Sequence, residues 1–307
     1  MVQQPPKFDL YEDAKKDFGK IGGSLWLYII IQLIMAFVLS FCVSFMIHTY
    51  AQYETMNMLV TVFSVLISSV TVILYMNSGF RLKLKSIKFE FKPLETLEAM
   101  GMVYFINIAL GIIALLLNRL GLPNTSPTET FGWSTLYNVS YFLYAVIMAP
   151  VFEEIIFRGM IYRSIARYNK VLGMLVASLF FGLIHLNLTQ GVFAFFMSLA
   201  MCYMYEKTQS LSVTIGAHAM NNFLATCSSY FSFLDVISIA LAIFGFICLI
   251  KEIKNIEKLV REEVIDSKAS SILFKRPTIV LYLIFTVAWI VISLVKTIIE
   301  SNSTALF

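Results

Sequence analysis

The chain has 307 residues, 59% of them apolar and 14% charged, with 27 phenylalanines and a mean hydropathy of +0.79. Such a composition excludes a single water-soluble core and reads as a polytopic membrane protein. Its fold class is all-α, because lipid admits helices or closed barrels and the apolar runs here lack the alternation of barrel strands. The net charge of +4 says little as a total and much by position.

Residues 1 to 23 are polar, carry Pro5 and Pro6, and read as a cytoplasmic lead-in. Apolar runs follow at roughly 24 to 47, 57 to 78, 97 to 117, 133 to 157, 171 to 188, 190 to 205, 211 to 227, 233 to 250 and 277 to 295, which predicts a transmembrane helical bundle of eight to nine spans. The first run is too long for a signal peptide and no small-x-small cleavage site follows it, so it reads as a retained anchor.

Three units follow from this pattern. Residues 1–132 hold the lead-in and three scaffold helices, residues 133–250 the core that carries the chemistry, and residues 251–307 an amphipathic cytoplasmic helix and a last transmembrane helix. The segment from Arg81 to Lys92 mixes basic and apolar residues and suits the surface of anionic lipid. Residues 118 to 132 are turn chemistry, with Gly121, Pro123 and Pro127. In 251 to 276, Ile253, Ile256, Leu259, Val260 and Val264 recur at helical spacing, and Glu257 with Arg261 and Lys258 with Glu262 stand four apart. Cys42, Cys202, Cys227 and Cys248 are scattered through apolar runs without paired spacing and read as packing residues.

The basic residues alternate by side. Clusters around Lys15, Lys83, Arg163, Lys207 and Lys258 share one side, and of the 23 Lys and Arg only Arg119 and Lys296 fall on the other. By the positive-inside rule the N-terminus is cytoplasmic. An integral, multi-pass protein of a bacterial plasma membrane is expected, in contact with the bilayer and with no nucleic-acid partner.

One stretch is not explained by membrane insertion. Phe152-Glu153-Glu154-Ile155-Ile156-Phe157-Arg158 places two carboxylates and a guanidinium in an apolar run, where each charge costs about 2.5–3.5 kcal/mol at mid-bilayer. On a helix Glu154 and Arg158 share a face and can pair, while Glu153 points about 100° away as the carboxylate left for chemistry. The bland alternative puts all three at a cytoplasmic helix end, with Arg158 snorkelling to the headgroups.

Downstream, Phe181 stands one turn before His185 and can pack on its ring, and His218 shares a face with Asn222. Asn221 is one position off that face and reads as structural, while His48, the remaining histidine, fits a packing role. A carboxylate and imidazole can activate water, and an imidazole and carboxamide can stabilise an oxyanion. No G-x-S-x-G context supports a covalent nucleophile. Glu153, Glu154, His185 and His218 are also competent metal ligands; no H-E-x-x-H or Glu-x-x-His pattern occurs, and a zinc assembled from three helices stays open.

In that order, Glu153-Glu154-x-x-x-Arg158, Phe181-x-x-x-His185 and His218-x-x-x-Asn222 resemble the CPBP family, which unites type II CAAX prenyl endopeptidases with bacterial Abi proteins. The resemblance covers about residues 133 to 227. It implies an intramembrane glutamic-type endopeptidase with no acyl-enzyme and no cofactor. Glu153 would be the general base, His185 would help activate water, His218 and Asn222 would stabilise the oxyanion, and Glu154, Arg158 and Phe181 would support the site. Family members commonly have about eight spans, so the ninth run is a departure. The implied partner is a peptide or membrane-protein substrate cut near the cytoplasmic leaflet. Abi-type peptide processing, bacteriocin self-immunity or regulation of membrane partners is expected. A prenyl endopeptidase, a metal-dependent peptidase, a non-catalytic scaffold or regulator and a transporter remain as alternatives.

Overall fold

The computed structural model describes residues 10–45, 49–79, 84–120, 132, 134–228, 230–263 and 267–304. His48, most of the 118–132 connector and part of the 81–92 segment lie outside them. Among the described residues there is no strand, as the composition requires. The elements are α1 (Leu10–Ser44), α2 (Tyr50–Gly79), α3 (Pro93–Arg119), α4 (Thr135–Ala166), α5 (Lys170–Leu183), α6 (Leu188–Thr208), α7 (Leu211–Cys227), α8 (Phe233–Glu262), α9 (Ser267–Phe274) and α10 (Pro277–Thr304).

Local chemistry sets several of these bounds. Pro93 opens α3 at a position where its missing N–H costs nothing. Asn169 and Asn187 cap α5 and α6 by accepting from Leu172 N and Gln190 N, the usual stabilising arrangement at an N-cap. Gln209 ends α6 in the left-handed region, at φ 52°.

Seven helices among the described residues, α1 to α4, α6, α8 and α10, are long and apolar enough to cross a membrane. The runs read at 171 to 188 and 211 to 227 are instead short helices of 14 and 17 residues. At 1.5 Å per residue they reach about 21 and 26 Å, less than the roughly 30 Å hydrocarbon core. They survive this shortfall because protein surrounds them: α5 packs along α6, and α7 is wedged against α3 and α4. The lead-in from Leu10 onward is the first part of α1 rather than a separate element, and the amphipathic helix expected over 251 to 276 is largely the end of the 30-residue α8, followed by α9.

Leu33, Phe37, Ile284 and Ile292 point outward, as lipid contact demands, while α3 and α8 touch backbone to backbone. A Cβ on Gly245 would lie 1.8 Å from Gly101 O. Without hydrophobic drive between helices in lipid, such small-residue contacts are what let them associate.

The charged helix ends meet at one end of the bundle. Arg167 Nη1 donates to Asp17 Oδ2 at 3.3 Å and Tyr168 Oη to the same oxygen at 2.7 Å. Arg163 reaches Ser86 Oγ at 2.9 Å, and Lys92 Nζ reaches Thr208 O at 2.8 Å. Lys170 pairs with Glu206, and Lys207 with both Glu98 and Glu252. The segment before α3 is held there too, with Leu211 N donating to Lys88 O and Ser210 Oγ to Glu90 O, so it packs on the start of α7 as well as facing outward. Burial and the Asp17 carboxylate push the Tyr168 hydroxyl up, and the hydrogen bond to Glu206 raises Lys170.

Candidate active site

The site is built on α4. Between two π-helical stretches, Leu143–Met148 and Ile155–Tyr162, lies a short α-helical piece, Ala149–Glu154. Pro150 has no N–H to give to the preceding turn, so the backbone there loses an α-type hydrogen bond and widens. The piece between the stretches carries Glu153 and Glu154 and turns them to different surroundings.

Glu154 points into protein. Its Oε1 lies 2.9 Å from Nη1 of Arg158, and both side chains are fully buried. Arg158 therefore does not snorkel, and the bland reading of the stretch falls. The guanidinium also sits over the Phe181 ring, 4.6 Å from its centroid. The same Glu154 Oε1 is 2.9 Å from Nδ1 of His218. Glu153 turns the other way; its side chain is 23% exposed, and Oε2 stands 3.8 Å from Nε2 of His218.

Phe181 is the hub of the aromatic packing. Its ring meets His185 edge-on at 5.2 Å, His218 at 5.9 Å and Phe157 at 5.0 Å between centroids. The contact with His185 agrees with the one-turn spacing. His185 itself, expected inside a span, stands in the turn between α5 and α6, where Leu186 adopts φ 52°. This left-handed backbone is strained for leucine. It reverses the chain and leaves His185 at the end of α5, with Nδ1 2.7 Å from Phe181 O.

The partners assign both tautomers. A carbonyl or carboxylate oxygen accepts, so Nδ1 carries the hydrogen in each histidine and the neutral ring keeps a lone pair on Nε2. His185 and His218 thus present acceptors rather than donors while uncharged.

An amide chain completes the wall. Asn107 Nδ2 donates to Asn221 Oδ1 at 2.7 Å, Asn221 Nδ2 to Asn222 Oδ1 at 3.1 Å, and Asn222 Nδ2 to Ala145 O at 2.8 Å. The sequence reading missed Asn107 and set Asn221 aside; the lone Asn of the 97 to 117 run and the second Asn beside Asn222 were the available signals.

Glu153, Phe181, His185, His218, Asn221 and Asn222 all line one cavity of about 660 Å³, shared with Tyr28, Gln32, Asn107, Tyr141, Tyr144 and Gln190. All four residues assigned to chemistry from the sequence are thus brought together, with Arg158 and Glu154 behind them. Among the described residues, no group of three or more His, Cys, Asp or Glu side chains is arranged to hold a metal ion. Glu154 Oε1 and His218 Nδ1 are already joined to each other.

Residues 135–224 match the family described as Type II CAAX prenyl endopeptidase Rce1-like. Over 77 residues the chain is 32% identical to "Putative membrane peptidase YdiL" of Bacillus subtilis (strain 168), an alignment covering 25% of this chain and 32% of that protein. The chain thus spans about a third of the length of that curated relative. No solved structure matches it. The matched stretch runs from the start of α4 to α7 and contains the glutamate pair, both cavity histidines and Asn222, so the similarity falls on the residues that carry the resemblance to the CPBP family.

Proposed function

We propose that this protein is an intramembrane endopeptidase that hydrolyses a peptide bond with water activated by Glu153 and the cavity imidazoles. The observation that carries the reading is the split of the glutamate pair: Glu154 is sealed behind an ion pair, while Glu153 faces a cavity shared with His185 and His218. A carboxylate placed so can take a proton from water while the oxygen attacks the peptide carbonyl. His185 Nε2 accepts a hydrogen bond from the same water and orients it. One N–H of Asn222 holds Ala145 O, and its second donates to the oxyanion, joined by His218 while its Nε2 shares with Glu153 the proton that came from water. The proton taken by Glu153 then passes to the leaving amine, giving a carboxylic acid and an amine without an acyl-enzyme.

The similarity of residues 135–224 to a family of endopeptidases supports the reaction class. Peptide maturation, bacteriocin self-immunity and regulation of membrane partners are the roles that suit a protein of this kind in a bacterial membrane. The test is cleavage of a peptide library by the protein reconstituted in lipid. Glu153→Gln should lose about 10²–10⁴-fold in rate, the usual contribution of a general base, and a strong chelator should leave the wild type unchanged. Full activity in Glu153→Gln sinks the mechanism; loss on chelation turns it into a metal-dependent one.

A further inference from the structure

The cavity and the charged end of the bundle lie on opposite sides of the glutamates. On α4, Arg163 and Ala166 at the charged end come after Glu153, whereas the lining residues Tyr141, Tyr144, Ala145 and Ala149 come before it. Ala166 is about 20 Å beyond Glu153 at 1.5 Å per residue.

The neighbours repeat the order. On α7 the charged end is Ser210 and Leu211, bonded to Glu90 and Lys88, and the cavity is lined from His218 outward to Thr226. On α6 the charged end is Glu206 and Lys207, and the lining runs from Met197 outward to Gln190. On α1 the charged end is Asp17, and the lining is Tyr28 and Gln32. Glu153 and His218 are the floor of this cavity, and its walls rise away from the basic end.

The charged end holds the clusters that the positive-inside rule assigns to the cytoplasm. We infer that the active-site cavity opens to the extracytoplasmic face and takes its substrate from there, contrary to the expectation of cleavage near the cytoplasmic leaflet. The inference deepens the peptidase reading and rests on it for the word substrate. The chemistry of the walls narrows the class. Apart from Glu153 and the two histidines the lining is uncharged, with Gln32, Asn107, Gln190 and Thr226 among its polar groups and no Lys or Arg. A free C-terminal carboxylate would find no cation of the kind that ordinarily recognises it. An uncharged, internal stretch of polypeptide fits, held by amide and hydroxyl groups.

The test reads sidedness without activity. Ala225 lines the cavity and is exposed, and Lys258 is exposed on the C-terminal part of α8. Ala225→Cys and Lys258→Cys are made separately in a Cys42→Ser background, leaving the buried Cys202, Cys227 and Cys248. Each is treated with a membrane-impermeant maleimide in right-side-out and in inverted vesicles of the expressing cells.

Ala225→Cys should label in right-side-out vesicles and lose its labelling in inverted ones, with Lys258→Cys doing the reverse. Labelling of Ala225→Cys in inverted vesicles alone overturns the inference. So does failure from both sides while Lys258→Cys still reacts, because the cavity would then be closed to either water. A second arm offers N-acetylated, C-amidated peptides to both vesicle types. Glu153-dependent cutting in right-side-out vesicles supports the inference, and cutting confined to inverted vesicles refutes it. Absence of cutting in either type counts against the peptidase reading and leaves the maleimide result to decide sidedness.

Discussion

Nδ1 of His218 lies 2.9 Å from Oε1 of Glu154, a residue 64 positions earlier in the chain. The bond joins α7 to α4 and turns a buried carboxylate into the orienting group of an imidazole. Because Glu154 takes the Nδ1 hydrogen, the other ring nitrogen, 3.8 Å from Glu153, faces the cavity as an acceptor in the neutral ring. One glutamate of the pair therefore sets the protonation pattern that the other works beside, and Arg158 pairs with the same Oε1 oxygen of that first glutamate. Acting as an oxyanion donor, the role implied by family resemblance, requires His218 to gain a proton during the reaction.

The Glu154–Arg158 pair should show large, coupled costs. Both side chains are fully buried, and removing one partner from such a pair typically costs about 3–5 kcal/mol because the other is left charged and unpaired. Glu154→Gln and Arg158→Met should each lower the unfolding midpoint in detergent by an amount of that order. The double variant should cost much less than the two added. Additive losses in this cycle would show that the pair is not coupled as its geometry implies.

The amide chain separates a chemical role from a positioning one. Asn222→Ala removes a cavity donor and should cut the cleavage rate by about 10²–10³, the loss seen when one oxyanion donor is deleted. Asn107→Leu leaves Asn222 in place and removes the hydrogen bond two amides away, worth about 0.5–1.5 kcal/mol. Its effect should be roughly tenfold or less in kcat with KM held. Steady-state kinetics on a cleaved library peptide decide this, and a silent Asn107→Leu or one as severe as Asn222→Ala would each refute it.

Much of the site was legible in the sequence because charge in an apolar run is costly enough to stand out. Glu153, Glu154 and Arg158 announced themselves that way, and the four-residue spacings paired Glu154 with Arg158 and Phe181 with His185. The rest was hidden for physical reasons. The apolar character runs on past Leu183, so hydropathy does not mark the turn that holds His185; Asn187, a capping residue in front of α6, was the signal for it. Asn107 is uncharged and cheap enough to pass as packing, and its partner lies in a helix more than a hundred residues on. The lengths of α5 and α7 depend on what surrounds them, which no local pattern states. The cavity is lined from six helices at once, so the direction in which it opens is written in no single stretch.

Close approach of α5 and α6 at their glycines should matter to catalysis as much as to stability. A Cβ on Gly182 would come within 2.6 Å of Gly191 O, and one on Gly191 within 2.9 Å of Gly182 O. Gly182→Ala must therefore part the two helices at the point from which the chain enters the His185 turn. Overpacking of this kind costs about 1–3 kcal/mol, and a displacement approaching 1 Å at a reacting group can cost about 10²-fold in rate. Gly182→Ala should lower the unfolding midpoint and reduce cleavage by at least roughly tenfold, the excess arising from a misplaced imidazole. Gly111→Ala is the control, since nothing lies within 4 Å of its added Cβ; it should be neutral or gain about 0.5–1 kcal/mol from the better helix former. Leu186→Gly tests the other side of the same turn. It removes the left-handed strain of leucine, so the fold should tolerate it, while the looser backbone should blunt the rate. Cleavage by Gly182→Ala at the wild-type rate would mean that His185 is not held by this helix contact, and the turn would have to be positioned by the Phe181 ring alone.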